Sequence, residues 1–301
     1  MIAVEGFAGT LSVSLYALTR RLKRPCKPFV GFMGSKRRWA PQLAAALFGD
    51  EAPDEVIVID AGPWGDVWQV LASGQRADVV TALKDWRDRS LPDLWEELSS
   101  TPPFAEPGKR VAQYLAVQAR VCGSLPVWWQ PEGGCFAMSR KGYETRAWQP
   151  AQQMHAASWA MGERRDAVAM RSKAPASPHT GGMFHVETLI SRIEAVPDDV
   201  LARLTVVHGD VRSVDPILGA RVLFDPPYVG APLYAASMER AEVIRLASRW
   251  ATAAERVLVC EGEPLPLDGW ASWSLAPHEV VTAYGVCVAP HEQLRLPWAA
   301  P

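Results

Sequence analysis

Five short apolar runs recur along the chain, and each ends in an acid or a glycine turn: IAVEGFAG, EVIVIDAG, LTVVHGDV, ARVLFDPP and RVLVCEGE. Runs of this kind belong to strands buried on both faces, as in parallel sheets. Between them lie helix-like segments, among them LSVSLYALTRRLK, RRWAPQLAAALF and ERAEVIRLASRWATAAE. Strand and helix alternating in this way predicts an open α/β sheet with helices on its faces. Ligands of such sheets bind beyond the carboxyl ends of the strands, so the turn residues are where chemistry is expected.

A chain of 301 residues suits one large domain or two smaller ones. With 49% hydrophobic and 21% charged residues it is not a disordered polymer. The net charge of −2 carries no global basic signature, so a polyanion has to be held by a local patch. The five cysteines (Cys26, Cys122, Cys135, Cys260, Cys287) form no CxxC pair, which argues against a zinc site or a disulfide framework and fits a reducing cytoplasm. No apolar stretch reaches membrane-spanning length. The start, MIAVEGFAGTLSVSLYAL, lacks a basic leader and has its positive residues after the apolar part, so it reads as a first strand and helix.

The middle of the chain loses this periodicity. Residues 118–185 are read as an insertion between a first part of the α/β domain, 1–117, and a second, 186–301. Between Ser139 and His185 there are seven Lys/Arg against three acids, with Arg140, Lys141, Arg164, Arg165, Arg171 and Lys173 as candidate phosphate or base contacts. Charge runs of this size are usually no more than a solvated surface.

Three turns carry candidate chemistry. In FDPPYVG, Asp225 offers a carboxylate and Pro226 a backbone carbonyl held still by its ring, followed by Pro227 and Tyr228. Two acceptors on the N–H bonds of an exocyclic amine aim its lone pair for attack, and a tyrosine can stack on a base taken out of its helix. In VEGFAGTLSV an acid, Glu5, and then Gly6 and Gly9 stand between strand and helix; glycines allow close approach to a ligand, and the helix N-terminus favours a carboxylate. Asp60 and Asp210 end two further strands. An acid at the first of these positions accepts from ribose hydroxyls in dinucleotide folds, and the second is a candidate for an adenine amino group. Lys36, with Arg37 and Arg38, sits where a helix begins, an unfavourable place for positive charge unless an anion compensates.

These motifs resemble the DNA adenine-N6 methyltransferases of the Dam type, especially divergent phage-encoded members. VEGFAGTLSV is similar to the family's S-adenosylmethionine loop, with Gly6 in place of its proline; GFMGSKRRWAPQL resembles its GGK/GSK segment, and VVHGDVRSV with VLFDPPYVG its late cofactor acid and catalytic loop. The resemblance covers about half of the chain, at both ends. It implies a class I S-adenosylmethionine-dependent methyltransferase, a Rossmann-like open sheet with an inserted target-recognition region, acting on double-stranded DNA without a metal, in the cytoplasm of a bacterium or infected host. Implied cofactor contacts are Glu5, Phe7, Ala8, Gly9, Lys36, Asp60, Asp210 and Asp225. Implied catalytic residues are Asp225, Pro226, Pro227 and Tyr228, with Lys36, Arg37 and Tyr228 on the substrate. In the family the GSK segment precedes the glycine loop; here Lys36 follows Gly9, as though that unit had moved into the connection between the first two strands.

Competing readings share much of this chemistry. Cytosine-N4 methylation and an RNA substrate use the same amine-directed loop, and a degenerate chain can bind cofactor or DNA without turnover. Cytosine-C5 chemistry needs a cysteine nucleophile. Pro25-Cys26 lies in a basic linker with no strand feeding it.

Overall fold

A computed structural model describes residues 1–30, 36–89, 91–120, 127–137, 186–227, 238–276 and 279–286. The five apolar runs form β1 (Ile2–Gly6), β2 (Glu55–Asp60), β5 (Leu204–His208), β6 (Arg221–Phe224) and β7 (Arg256–Glu261). They are mutually parallel in the order β5-β2-β1-β6-β7. Two C-terminal strands that carry no clean pattern in the sequence, β8 (Ala271–Ala276) and β9 (Glu279–Tyr284), extend the sheet to seven. β9 inserts between β7 and β8 and runs antiparallel to both. The expected α/β class is thus the architecture found, with a mostly parallel sheet that is compatible with a Rossmann-like fold.

The helices follow the sequence where its period was clear. α1 (Ser12–Thr19), α2 (Ala40–Phe48) and the helix after β6, Arg240–Ala251, all fall inside segments read as helical. That last helix opens with a capping box in which Glu239 and Glu242 exchange backbone hydrogen bonds, and it buries Val243, Leu246, Ala247 and Trp250. Those side chains pack with Val4, Ile59, Phe224, Val257 and Val259 on one face of the sheet. The opposite face buries Leu223 and Leu258 with side chains of α1 and α2.

Between β2 and β5 stand helices the sequence reading did not separate: α3 (Pro63–Ala72), α4 (Arg76–Trp86), α5 (Leu91–Ser100), α6 (Pro107–Arg120) and α7 (Val186–Glu194). The expected boundary at Gln118 falls inside α6, where that side chain is buried and accepts from the Val127 N–H. A small hairpin follows, β3 (Trp128–Gln130) with β4 (Cys135–Ala137). Numbered in chain order, α8 is Asp198–Leu201 and α9 the Arg240–Ala251 helix.

The chain runs from β1 outward through β2 to β5 and then returns to β6 on the other side of β1. Successive connections therefore diverge between β1 and β6. This is the topological switch point, where an open α/β sheet leaves a crevice at its carboxyl edge.

Candidate functional site

A cleft of about 760 Å³ opens at that switch point. It collects strand-end residues from β1 (Glu5, Phe7, Ala8, Gly9), β2 (Asp60, Gly62), β5 (His208, Asp210) and β6 (Asp225, Pro227), together with Lys36. Its outer wall is built from Trp64 and Asp66 of α3, Arg110 and Tyr114 of α6, and Trp128 of the hairpin.

The turn after β1 is unusual in its backbone. Phe7, Gly9 and Leu11 all have left-handed φ values, 58°, 47° and 50°. For Phe7 and Leu11 that conformation costs energy and persists only where the surroundings impose it. Gly6 has a packing reason: a Cβ there would sit 2.6 Å from the Phe224 ring, so the β1 end can carry no side chain at that point. The loop is tied to α3 by Trp68, whose Nε1 donates to the Gly9 carbonyl at 2.9 Å.

The glycine turn and the start of α1 were expected to offer their N–H groups to a ligand's carboxylate. The carboxylates found there belong to the chain. Glu5 Oε2 accepts from the Ser14 N–H at 2.9 Å, which places it on the first turn of α1. Asp60 Oδ2 accepts from the Gly9 N–H at 2.9 Å, and Oδ1 from the Gly62 N–H at 2.7 Å. Glu5 is 4% exposed, and burial raises its pKa to about 7 against the pull of the Ser14 hydrogen bonds, with the Asp225 charge adding to the rise. Burial also raises Asp60, partly opposed by the Gly9 and Gly62 N–H groups and by His208. The glycines of DAGPWG serve this same packing: Gly62 is the N-cap of α3, and a Cβ on Gly65 would lie 2.3 Å from the Asp60 carbonyl.

Lys36 also finds an internal anion. It begins a 3-10 turn (Lys36–Arg38) before α2, is 3% exposed, and its Nζ lies 2.7 Å from Asp225 Oδ1. The compensating charge expected from a ligand is supplied by the loop read as catalytic. Arg37 and Arg38 are exposed, the latter with its guanidinium 4.9 Å from the Trp39 ring centre. Asp225 continues the β1–β6 ladder, donating its N–H to the Gly6 carbonyl at 3.3 Å. It lies two residues beyond Leu223, the partner of Glu5, so both acids are on one face of the sheet.

Asp210 lies at the rim. It caps the turn Val211–Ser213 through the Arg212 N–H at 2.8 Å, and both its oxygens accept from the Arg212 guanidinium. Those Arg212 bonds hold its carboxyl below the ordinary range. On the outer wall, Arg110 clamps Asp66 with bonds of 2.7 and 2.8 Å.

The structure therefore brings Glu5, Phe7, Ala8, Gly9, Lys36, Asp60, Asp210, Asp225 and Pro227 to one cleft, with Pro226 buried beside it. Tyr228, Arg140, Lys141, Arg164, Arg165, Arg171 and Lys173 lie outside the described residues. Sequence reasoning missed Trp64, Tyr114, His208 and the Asp66–Arg110 pair; it also missed Glu261, which is 2% exposed at the end of β7. Burial raises the Glu261 carboxyl, and its Oε1 makes no hydrogen bond among the described residues. Glu261 and His208 carry the same strand-end signal as Asp60, so that rule applied evenly would have found both. Among the described residues no His/Cys/Asp/Glu group is arranged to hold a metal, and no helix is long and apolar enough to cross a membrane. In comparison with known proteins, no family pattern and no curated sequence matches the chain.

Proposed function

We propose that the protein is a class I S-adenosylmethionine-dependent methyltransferase acting on the exocyclic N6 amine of adenine in DNA. The observation that carries this reading is the convergence of the Asp225–Lys36 pair and the strand-end acid Asp60 on one cleft at the switch point. The volume suits a nucleoside-sized ligand, since small-molecule sites span roughly 300–1,000 Å³.

The cleft fits the cofactor in its donor set. The Asp60 carboxylate accepts from the Gly9 and Gly62 N–H groups, with the Gly65 N–H also acting on it, and of its roughly four lone-pair sites one remains for a ribose hydroxyl. Phe7, Ile59 and Trp64 provide apolar wall for a flat ring. Bound there, S-adenosylmethionine supplies an electrophilic methyl group. The chain's own part is positioning and electrostatics. Lys36, 2.7 Å from Asp225, orients the Asp225 carboxylate, whose remaining lone pairs accept from the target amine. The Pro226 carbonyl is the second acceptor in this scheme. With both N–H bonds engaged, the nitrogen lone pair leaves conjugation with the base and turns toward the methyl carbon.

The test is nucleoside mass spectrometry on plasmid DNA from a methylation-deficient bacterial host expressing the chain, with Asp225→Ala as control. N6-methyladenine with the intact chain and none with the control is the expected result. N4-methylcytosine instead would keep the amine chemistry and change the base. An unmodified plasmid from a chain that still binds the cofactor overturns the DNA reading.

A further inference from the structure

Five carboxyl groups line the cleft among the described residues, and they are compensated in two different ways. Asp66, Asp210 and Asp225 are paired with Arg110, Arg212 and Lys36. Among the described residues no ion pair reaches Glu5 or Asp60; the Ser14 N–H and hydroxyl hold Glu5, and the Gly9 and Gly62 N–H groups hold Asp60, with His208 acting on Asp60 only through its charge. The N–H groups best placed to hold a ligand's anion are thus already used, and among the described residues the two floor carboxyls have no cation paired directly with them. The charge that acts on Glu5 is Asp225 on β6, itself paired with Lys36 on the 3-10 turn; those two also act on Glu261 of β7, and Asp60 on β2 feels His208. From α1 Glu5 receives only N–H and hydroxyl groups.

S-adenosylmethionine and its demethylated product differ by one charge. When the methyl carbon leaves, the C–S bonding pair stays on sulfur and the sulfonium becomes a neutral sulfide; the target amine gains the methyl and gives up a proton to solvent. Resting on the methyltransferase reading, we propose that Glu5 is the specificity-determining residue by which this site distinguishes the cationic cofactor from its neutral product. Its buried carboxylate favours the sulfonium ligand and releases the sulfide. At an effective dielectric of about 20, a unit charge roughly 10 Å away gives discrimination on the order of tenfold.

Geometry makes Glu5 the right group for a graded effect. It shares the cleft with Asp225, two rungs along the same face, and it is shielded from bulk solvent. Because burial raises its pKa to about 7, its charge develops across neutral pH. The preference for cofactor over product therefore grows as pH rises through that value.

Titration calorimetry of the folded full-length chain with S-adenosylmethionine and S-adenosylhomocysteine at pH 6, 7 and 8 tests this. The ratio of product Kd to cofactor Kd is expected to rise about fivefold over that range, and to stay flat in Glu5→Gln. The ligands' own amino ionisations are common to both chains and cancel in the comparison. By reciprocity the cofactor must also shift Glu5, so its carboxyl titration, followed by carbon NMR in the unaltered protein, is expected to fall by about one pH unit with the cofactor and to stay put with the product. That readout stands even where Glu5→Gln fails to fold. A pH-independent ratio, a shift that survives in Glu5→Gln, or an unmoved Glu5 titration overturns this assignment and leaves the cofactor reading intact. Failure of both ligands to bind at any of these pH values overturns the cofactor reading and this inference together.

Discussion

The floor and the rim of the cleft solve one problem in opposite ways. On the floor, Glu5 and Asp60 are held by backbone N–H groups, and burial raises both carboxyls. At the rim, Asp210 lies against Arg212, and that contact lowers it. Carboxyls at comparable strand ends thus become proton-sensitive where they are desolvated and salt-sensitive where they are solvated and paired. Asp225 stands between the two: part-exposed to the cleft, yet paired with the buried Lys36.

The strongest break in that comparison is expected at Lys36. Lys36→Met leaves Asp225 beside an apolar group and removes a buried cation, and breaking a buried pair from one side costs about 3–5 kcal/mol. Loss of roughly that much in urea unfolding, with methyl transfer abolished, is the expected outcome; an unchanged midpoint would show that the pair contributes nothing to the fold.

Glu5 should give an effect of similar size that depends on pH. Its pKa is about 7 in the fold against 4.5 for the free group, so the unfolded chain ionises first as pH rises. Stability linked to Glu5 is greatest below about 4.5 and is lost progressively up to about 7, to a total on the order of 3 kcal/mol. Replacing it with glutamine removes that slope. Urea midpoints of both chains from pH 5 to 8 should therefore move apart in favour of Glu5→Gln as the pH rises, and parallel profiles would contradict a buried titrating floor.

Gly6→Ala tests whether the floor can give way. The new methyl would stand 2.6 Å from Phe224, itself packed edge-on to Trp250 at 5.5 Å. Overpacking of this kind costs about 1–3 kcal/mol, readable as a fall in Tm, and the shift should carry into cofactor affinity because the loop bearing Phe7 and Gly9 follows directly.

The smallest effect belongs to the rim. Arg212→Ala should cost below about 1 kcal/mol, as half-exposed pairs do, and the difference should fade in about 1 M salt. A larger loss that persists in salt would mean that the rim pair is not a surface contact at all.

Much of this layout was legible in the chain. The five apolar runs became five parallel strands because a strand buried on both faces leaves an uninterrupted apolar signature, and their terminal acids had to fall on one sheet edge. Helices α4–α6 were not separated because charged and turn residues interrupt their apolar spacing, as in LKDWRDRSLPDLWEEL. The hairpin β8–β9 was missed for a related reason: β8 alternates exposed Ser272 and Ser274 with apolar residues, and the short buried stretch of β9 is interrupted by Thr282, whose hydroxyl lies 3.0 Å from that of Ser272. Glu261 was passed over although its run was recognised.

What the sequence determined by itself was which residues stand at the carboxyl edge, since strand and helix periods are local and need no partner to be read. Which anion satisfies which cation or N–H was decided only by the tertiary structure. Glu5 on the start of α1, Asp60 on the Gly9 N–H and Asp225 on Lys36 are pairings between separate elements, set by how β1, β2 and β6 lie side by side. No spacing rule along the chain encodes them, because burial, and with it the strength and sign of each charge effect, exists only once the sheet has closed around the cleft.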